Sequence, residues 1–186
     1  TNLQVYRRGQ EGAWQDVGPG EAFKEELGRN HLEQIVGNSA TELYAAGRSG
    51  VIWWFDGHAW TAVRTDTKLS FLCATCGADG TVYLGGQCGV VATGRRGEFT
   101  IHTPEPPLDD IWGIAELDER IYLASLRALM TWTVDEGHQV VAPAMERAQT
   151  FYNLGRGPTT LWSLGSKDVL RFDGQAWERL DEVPVK

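Results

Sequence analysis

A short apolar segment followed by an aromatic residue recurs four times along the chain. The aliphatic residue that opens the segment stands at 43, 82, 121 and 161, so the spacings are 39, 39 and 40 residues. Four occurrences at nearly constant spacing indicate an internal repeat, and a repeat of this length constrains the fold more than any other sequence feature. The segments are Leu43–Gly47, Val82–Gly86, Ile121–Ser125 and Leu161–Gly165.

Glycine-bearing turns divide each repeat into four short stretches with strand character. The hexapeptide Phe-Asp-Gly-x-Ala-Trp occurs at 55–60 and again at 172–177, three repeats later, whereas the middle copies keep a turn and lose the motif. Asp-Gly pairs supply the positive φ that tight hairpins need, and the tryptophan is a large apolar anchor. We therefore interpret both hexapeptides as structural hairpins.

This pattern predicts an all-β fold, a single β-propeller domain of four-stranded antiparallel blades. Residues 4–17 match only the last two strands of a repeat. A partial blade at 1–18 is therefore followed by a linker at 19–30, in which 21–28 is a candidate helix. The full blades are predicted at about 31–66, 67–105, 106–147 and 148–183.

The partial copy leaves the closure of the ring open. A five-bladed ring with one reduced blade is favoured. The alternatives are an extra hairpin on a four-bladed ring, and a larger propeller completed by missing residues or by a second chain. If a second chain completes the ring, the protein is an oligomer.

Residues 43–60 carry the pattern Leu-Tyr-Ala-x-Gly-x-x-Gly-x-Ile followed by Phe-Asp-Gly-x-x-Trp. The pattern resembles the bacterial propeller repeats known as YVTN/BNR-like, which are grouped loosely with WD-repeat propellers. This resemblance covers nearly the whole chain but rests on scaffold residues. It implies a protein-binding platform and, because some members accompany secreted bacterial toxins, an immunity role.

Composition and charge narrow the function classes. The chain has 25 acidic and 17 basic side chains, a net charge of −8, and no basic cluster of the kind that nucleic-acid binders carry. No apolar run approaches the ~18 residues of a membrane helix, and three cysteines do not make a secreted disulfide framework. We expect a cytoplasmic protein that binds neither nucleic acid nor membrane, and whose acidic surface favours a basic partner.

The cysteines are the strongest candidates for a metal site. Cys73 and Cys76 have the C-x-x-C spacing, and Cys88 follows 12 residues later. A structural zinc ion needs four ligands, and residues three apart on a strand point to opposite faces. In the other copies Cys76 aligns with small or apolar residues, namely Val36, Ala115 and Gly155. We predict packed structural cysteines, no metal and no cofactor.

No catalytic set is evident in the sequence. His58 and His138 fall near turns of different blades and should not converge, and acidic pairs such as Asp118-Glu119 lie in loops. An enzyme would need polar residues from several blades at the central channel. We therefore predict a non-enzymatic protein.

The positions at which the copies differ are the candidate binding positions, because propellers bind partners through loops on one rim. One equivalent site on the inner strand carries Glu33, Cys73, Trp112 and Tyr152. Arg127 and Lys167 replace Ser49 and Cys88 in the turn between second and third strands. The predicted binding residues are Trp112, Tyr152, Arg127, Arg156, Asp109 and Asp110. The alternative is that the two aromatic residues only fill the interior.

We expect this propeller to bind another protein without catalysis, in one version as an immunity protein against a bacterial toxin. The alternative is a lectin-like or small-ligand propeller, which the eight tryptophans suggest. Five of the eight already have structural roles in the repeat: Trp14, Trp53, Trp60, Trp162 and Trp177.

Overall fold

The computed structural model describes residues 5–9, 11–19, 31–141 and 150–180, in which 18 strands form. The helix predicted at 21–28 lies outside these residues, as do parts of the predicted blade ends. No helix among the described residues is long and apolar enough to cross a bilayer. The strands are β1 (Tyr6–Arg8), β2 (Trp14–Asp16), β3 (Leu32–Ser39), β4 (Glu42–Gly47), β5 (Ile52–Phe55), β6 (Trp60–Val63), β7 (Phe71–Cys76), β8 (Val82–Gly86), β9 (Val91–Arg95), β10 (Glu98–His102), β11 (Ile111–Leu117), β12 (Arg120–Ser125), β13 (Leu129–Thr133), β14 (Gly137–Val140), β15 (Asn153–Arg156), β16 (Leu161–Leu164), β17 (Val169–Phe172) and β18 (Trp177–Arg179).

The strands form four antiparallel blades in chain order and one two-stranded hairpin. Blade 1 is β3–β6, blade 2 is β7–β10, blade 3 is β11–β14 and blade 4 is β15–β18, while β1 pairs only with β2 within the described ranges. The first strands of successive blades pack against one another, β3 on β7, β7 on β11 and β11 on β15. This confirms the predicted propeller architecture, with four full blades and a partial one.

Apolar side chains from adjacent blades build the core. Between blades 1 and 2 the fully buried set includes Tyr44, Ile52, Phe71 and Leu84. Alternation along each strand sends one set of side chains toward the preceding blade and the other toward the next. Each large side chain removed from water contributes about 1.5–3 kcal/mol, so the stacking of blades stabilises the arc.

The repeated hexapeptide forms the same hairpin in blades 1 and 4. Asp56 Oδ1 accepts hydrogen bonds from the backbone N–H groups of His58 and Ala59, both at 2.8 Å. Asp173 does the same for Gln175 and Ala176. These backbone hydrogen bonds lower the pKa of both aspartates. The hexapeptide is a structural element, as its sequence indicates.

The turns between second and third strands are of two kinds. In blades 1 and 2 the turn closes four residues on, for example from Gly47 N to Val51 O, and its tip residue, Ser49 or Cys88, has a positive φ near 55°. In blades 3 and 4 it closes three residues on, for example from Ser125 N to Ala128 O. The second class is therefore one residue shorter.

Candidate functional site

The connections between strands lie at two opposite ends of the arc. We call the end with the second-to-third-strand turns and the links between blades the loop face (residues 48–50, 64–70, 87–89, 103–110, 126–128 and 166–168), and we include in it Trp112 and Tyr152, which lie at the adjoining starts of their inner strands. These segments contact one another through backbone hydrogen bonds, such as Gln87 N to Ser70 O and Leu108 N to Cys88 O. The opposite end, with the first-to-second and third-to-fourth turns, is the hairpin face.

A β-bulge near the loop face redirects one side chain on the inner strand of blades 1 to 3. The register skips Glu33 in β3, Leu72 in β7 and Trp112 in β11. Bulges commonly re-aim a side chain near functional sites. The predicted equivalence of Cys73 with Glu33 is wrong by one residue, because the adjacent apolar residues Phe71 and Leu72 both suit the start of this strand and the structure begins it at Phe71. Leu72 takes that place, and Cys73 pairs with Gly85.

Trp112 is the most exposed aromatic side chain on the inner strands of the full blades. It is 42% exposed, whereas its neighbour Ile111 is fully buried between blades 2 and 3. The equivalent residue of blade 4 is Tyr152, which comes directly before β15 and is half-buried. A side chain at Gly113 would approach the Tyr152 carbonyl oxygen to 2.8 Å, so the two inner strands are in close contact here.

Charged residues share the loop face with Trp112. Asp110 Oδ1 accepts a hydrogen bond from Cys88 N at 2.8 Å, which ties the link before β11 to the turn of blade 2. Asp109 and Arg127 are exposed, and the backbone N–H of Arg127 donates to Ser125 Oγ. Five of the six predicted binding residues thus lie on the loop face of blades 3 and 4, where acidic, basic and aromatic groups occur together.

Arg156, the sixth predicted residue, lies at the other end of its strand. Its guanidinium forms an ion pair of 2.7 Å with Glu116, whose side chain is almost fully buried. Pairing places Glu116 and Arg156 at the level of Cys76 and Gly37, so the alignment of Cys76 with Ala115 and Gly155 is also wrong by one residue. A single charged residue within the apolar run of β11 was the only sequence signal for this buried pair.

A network of charges on the hairpin face joins blades 1 and 2. Glu42 accepts hydrogen bonds from Arg95 at 2.7 and 3.0 Å, and from Asn38 and Tyr44 at 2.9 Å each. The Arg95 hydrogen bond, with those from Asn38 and Tyr44, lowers the pKa of Glu42 to about 2. Burial raises the pKa of Tyr44 to about 12, and its hydroxyl accepts from Arg96 N at 2.9 Å. Glu42 is therefore ionised throughout the physiological range.

The cysteines are all free thiols. Burial raises the pKa of Cys73 strongly, and its Sγ lies 3.5 Å from the Ile111 carbonyl oxygen across the interface of blades 2 and 3. Burial also raises the pKa of the half-buried Cys76. Within the described residues no three His, Cys, Asp or Glu side chains are grouped to hold a metal ion.

Two histidines line a cavity of about 490 Å³ between blades 2 and 3. His102 shares a hydrogen bond of 3.2 Å with Thr93, its ring packs edge-on against Trp132 at 5.0 Å, and burial lowers its pKa. Burial likewise lowers the pKa of His138. Both imidazoles belong to outer strands and are neutral at pH 7, so they are not placed to act at the central channel.

Comparison with solved structures shows the fold class. The chain is similar to virginiamycin B lyase from Staphylococcus aureus, with a TM-score of 0.73 and 14% identity over 99% of this chain and 64% of that chain. It is also similar to YCF48 bound to a D1 peptide, with a TM-score of 0.65 and 15% identity over 92% and 59%. A third similar structure is the WD40 β-propeller domain of Doa1, with a TM-score of 0.59 and 7% identity over 85% of this chain and 56% of that chain. At these identities the similarity shows the propeller fold alone.

Comparison of sequences gives a more informative relative. No protein-family model matches the chain. The chain is 34% identical over 182 residues to the immune protein Tsi7 of Pseudomonas aeruginosa, and the match covers 96% of this chain and 58% of that protein. The chain therefore spans a little over half the length of this curated relative.

Proposed function

We propose that this propeller is a non-catalytic immunity-type protein that binds a bacterial toxin protein. The observation that carries the proposal is the 34% identity to an immune protein along nearly the whole chain. The repeat family stays at the level of a resemblance to YVTN/BNR-like propellers, and we place the protein in the cytoplasm. The lyases among the structural neighbours share the fold at 13–14% identity, and an identity this low gives no reason to assign their activity to this chain.

The proposed binding surface is the loop face of blades 3 and 4, centred on Trp112. A half-exposed tryptophan held on a buried strand, on the same face as charged groups, is typical of a hot spot, because tryptophan supplies a large apolar contact with a rigid side chain. The described histidines of the full blades, His58, His102 and His138, lie on outer strands or their turns, which favours binding over catalysis. The net charge of −8 favours a basic toxin through long-range attraction.

Co-expression with the toxin gene adjacent to the gene for this protein tests the proposal. We expect the wild-type protein to restore growth and to form a complex with the purified toxin. Trp112→Ala should weaken the Kd about 30-fold or more, as loss of a hot spot does. Val134→Ala is the control, because Val134 is an exposed apolar residue of the same blade on the hairpin face. Growth arrest with wild-type protein would overturn the function, whereas equal affinities of both variants would overturn only the location.

A further inference from the structure

One aromatic contact recurs wherever two full blades meet. The aromatic residue of each second strand packs against an aromatic residue of the next blade, with ring centroids 5.6–6.4 Å apart and inclined rings. Such inclined pairs stabilise an interface beyond their burial. The pairs are Tyr44 with Phe99, Tyr83 with Trp132 and Tyr122 with Phe172.

At the blade 4 end, no aromatic residue of a following blade packs against the second-strand aromatic among the described residues. Trp162 is the second-strand aromatic of blade 4, at the position of Tyr122 in blade 3. Tyr122 is buried against blade 4, but Trp162 is 40% exposed and Leu164, two residues on and so on the same face of β16, is 52% exposed. Blade 4 therefore ends in an apolar face of the kind that the other blades cover.

At the blade 1 end, the pair of aromatic rings against which a preceding blade would pack is present. Phe55 and Trp60 pack at 5.1 Å, as Phe172 and Trp177 do where they receive Tyr122. Among the described residues no second-strand aromatic reaches Phe55 and Trp60. A cavity of about 450 Å³ lies beside them instead, between blade 1 and the β1–β2 hairpin.

The β1–β2 hairpin lacks the two strands that complete every other blade. In the full blades the third strand pairs on both sides, whereas among the described residues β1 pairs with β2 alone. The apolar side chains of Tyr6 and Ile35 are each about half exposed, beside a cavity of about 290 Å³ between β1 and β3. An unpaired strand edge beside an apolar surface is a template for added strands.

We propose that further blades of the same repeat, in one polypeptide with this arc, close it into a ring of about seven blades. Two of their strands pair with β1 and place an aromatic side chain against Phe55 and Trp60, while Trp162 packs into the blade on the other side. The arc spans 64% of the virginiamycin B lyase chain, so four and a half blades leave room for about two and a half more, within the usual ~4–8. The relative Tsi7 likewise extends beyond the matched region.

A second copy of the described arc does not fit this gap. It would bring four full blades into a space for about two and a half, and its own hairpin also lacks inner strands. The occupant must supply two strands free to pair with β1 and a second-strand aromatic. A blade hairpin of this repeat has both features.

Thermal unfolding of the full gene product, without toxin, tests the proposal independently of the proposed function. Trp162→Thr should lower the Tm by about 2–4 °C, and Tyr122→Thr should have a similar effect at an internal interface. Trp112→Thr is the matched control, since Trp112 has nearly the same exposure (42%) but lies on the loop face, and should lower the Tm by less than about 2 °C. Trp162→Tyr should restore most of the loss.

Two results would overturn the proposal. One is an equal, small effect of Trp162→Thr and Trp112→Thr, which would mean that Trp162 stays in solvent. The other comes from sedimentation velocity, in which we expect a monomer for the wild type and for Trp162→Thr. A wild-type dimer that Trp162→Thr dissociates would identify a second copy as the occupant.

Discussion

Glu42→Gln should destabilise the protein in a pH-dependent manner. The substitution keeps the shape and the hydrogen-bonding oxygen of the side chain but removes its charge, which Arg95 binds through two hydrogen bonds. A fall in the pKa of Glu42 from 4.5 to about 2 corresponds at full strength to about 3 kcal/mol. Because the Arg95 side chain is 41% exposed, solvent screening reduces the expected effect to about 1–2 kcal/mol.

The pH window follows from the direction of the shift. A carboxylate with a lowered pKa stabilises the folded state above its unfolded pKa, and this contribution is lost as the pH falls toward the folded value. The difference in unfolding free energy between wild type and Glu42→Gln should therefore be largest at pH 7. It should shrink between about pH 4.5 and pH 2.

Urea unfolding at pH 7, 4 and 2.5 measures this difference. Glu33→Gln is the matched control, because Glu33 forms a single, exposed ion pair with Arg48 within blade 1, and such pairs contribute little. A Glu42→Gln effect equal to that of Glu33→Gln, or one that does not change with pH, would refute the role of the network in joining blades 1 and 2.

Two further substitution and labelling experiments test the packing of the blades. Gly85→Ala should cost about 1–3 kcal/mol of unfolding free energy, because the added methyl would lie 2.8 Å from both Cys73 Sγ and Ile111 Cγ2. Gly155→Ala should be neutral or stabilising in the same assay, since nothing lies within 4 Å of the new atom. With a thiol reagent at pH 8, Cys73 should react only after denaturation, because it is buried and its pKa is raised, and native labelling of Cys73, located by mass spectrometry, would contradict the buried interface.

The repeat made most of the architecture predictable. Apolar residues at 43, 82, 121 and 161 lie in β4, β8, β12 and β16, and the Asp-Gly hexapeptides form the expected hairpins. Blade 2 lacks the hexapeptide but keeps the aromatic contact with the preceding blade. A side chain at Gly94 would lie 2.7 Å from the Phe99 ring, so Phe99 of the fourth strand replaces the aromatic residue that the other blades carry on the third strand, namely Phe55, Trp132 or Phe172.

Positions on the inner strand of blade 2 were less predictable, because Phe71 and Leu72 both suit its first position and a shift of one residue exchanges the two faces of a strand. The predicted equivalents of Cys73 and Cys76 are therefore one residue off, and the alignment did not bring Cys76 level with Glu116. The repeat predicts a structural role for Trp162, and only the structure shows that its side chain is 40% exposed. The binding set of Trp112, Tyr152, Arg127, Asp109 and Asp110 is brought to one face, whereas its role stays a prediction.

The two classes of turn between second and third strands limit which surface loops can be exchanged between blades. A chimera that moves the turn containing Ser49 into blade 2 keeps both the turn length and the positive φ of the tip residue. A chimera that moves the turn containing Arg127 into blade 4 likewise keeps the turn length. A transfer between the classes changes the length by one residue and would rotate the third strand, turning its apolar side chains to solvent. Loop libraries aimed at new partners should therefore vary blades 1 and 2 with one template and blades 3 and 4 with another.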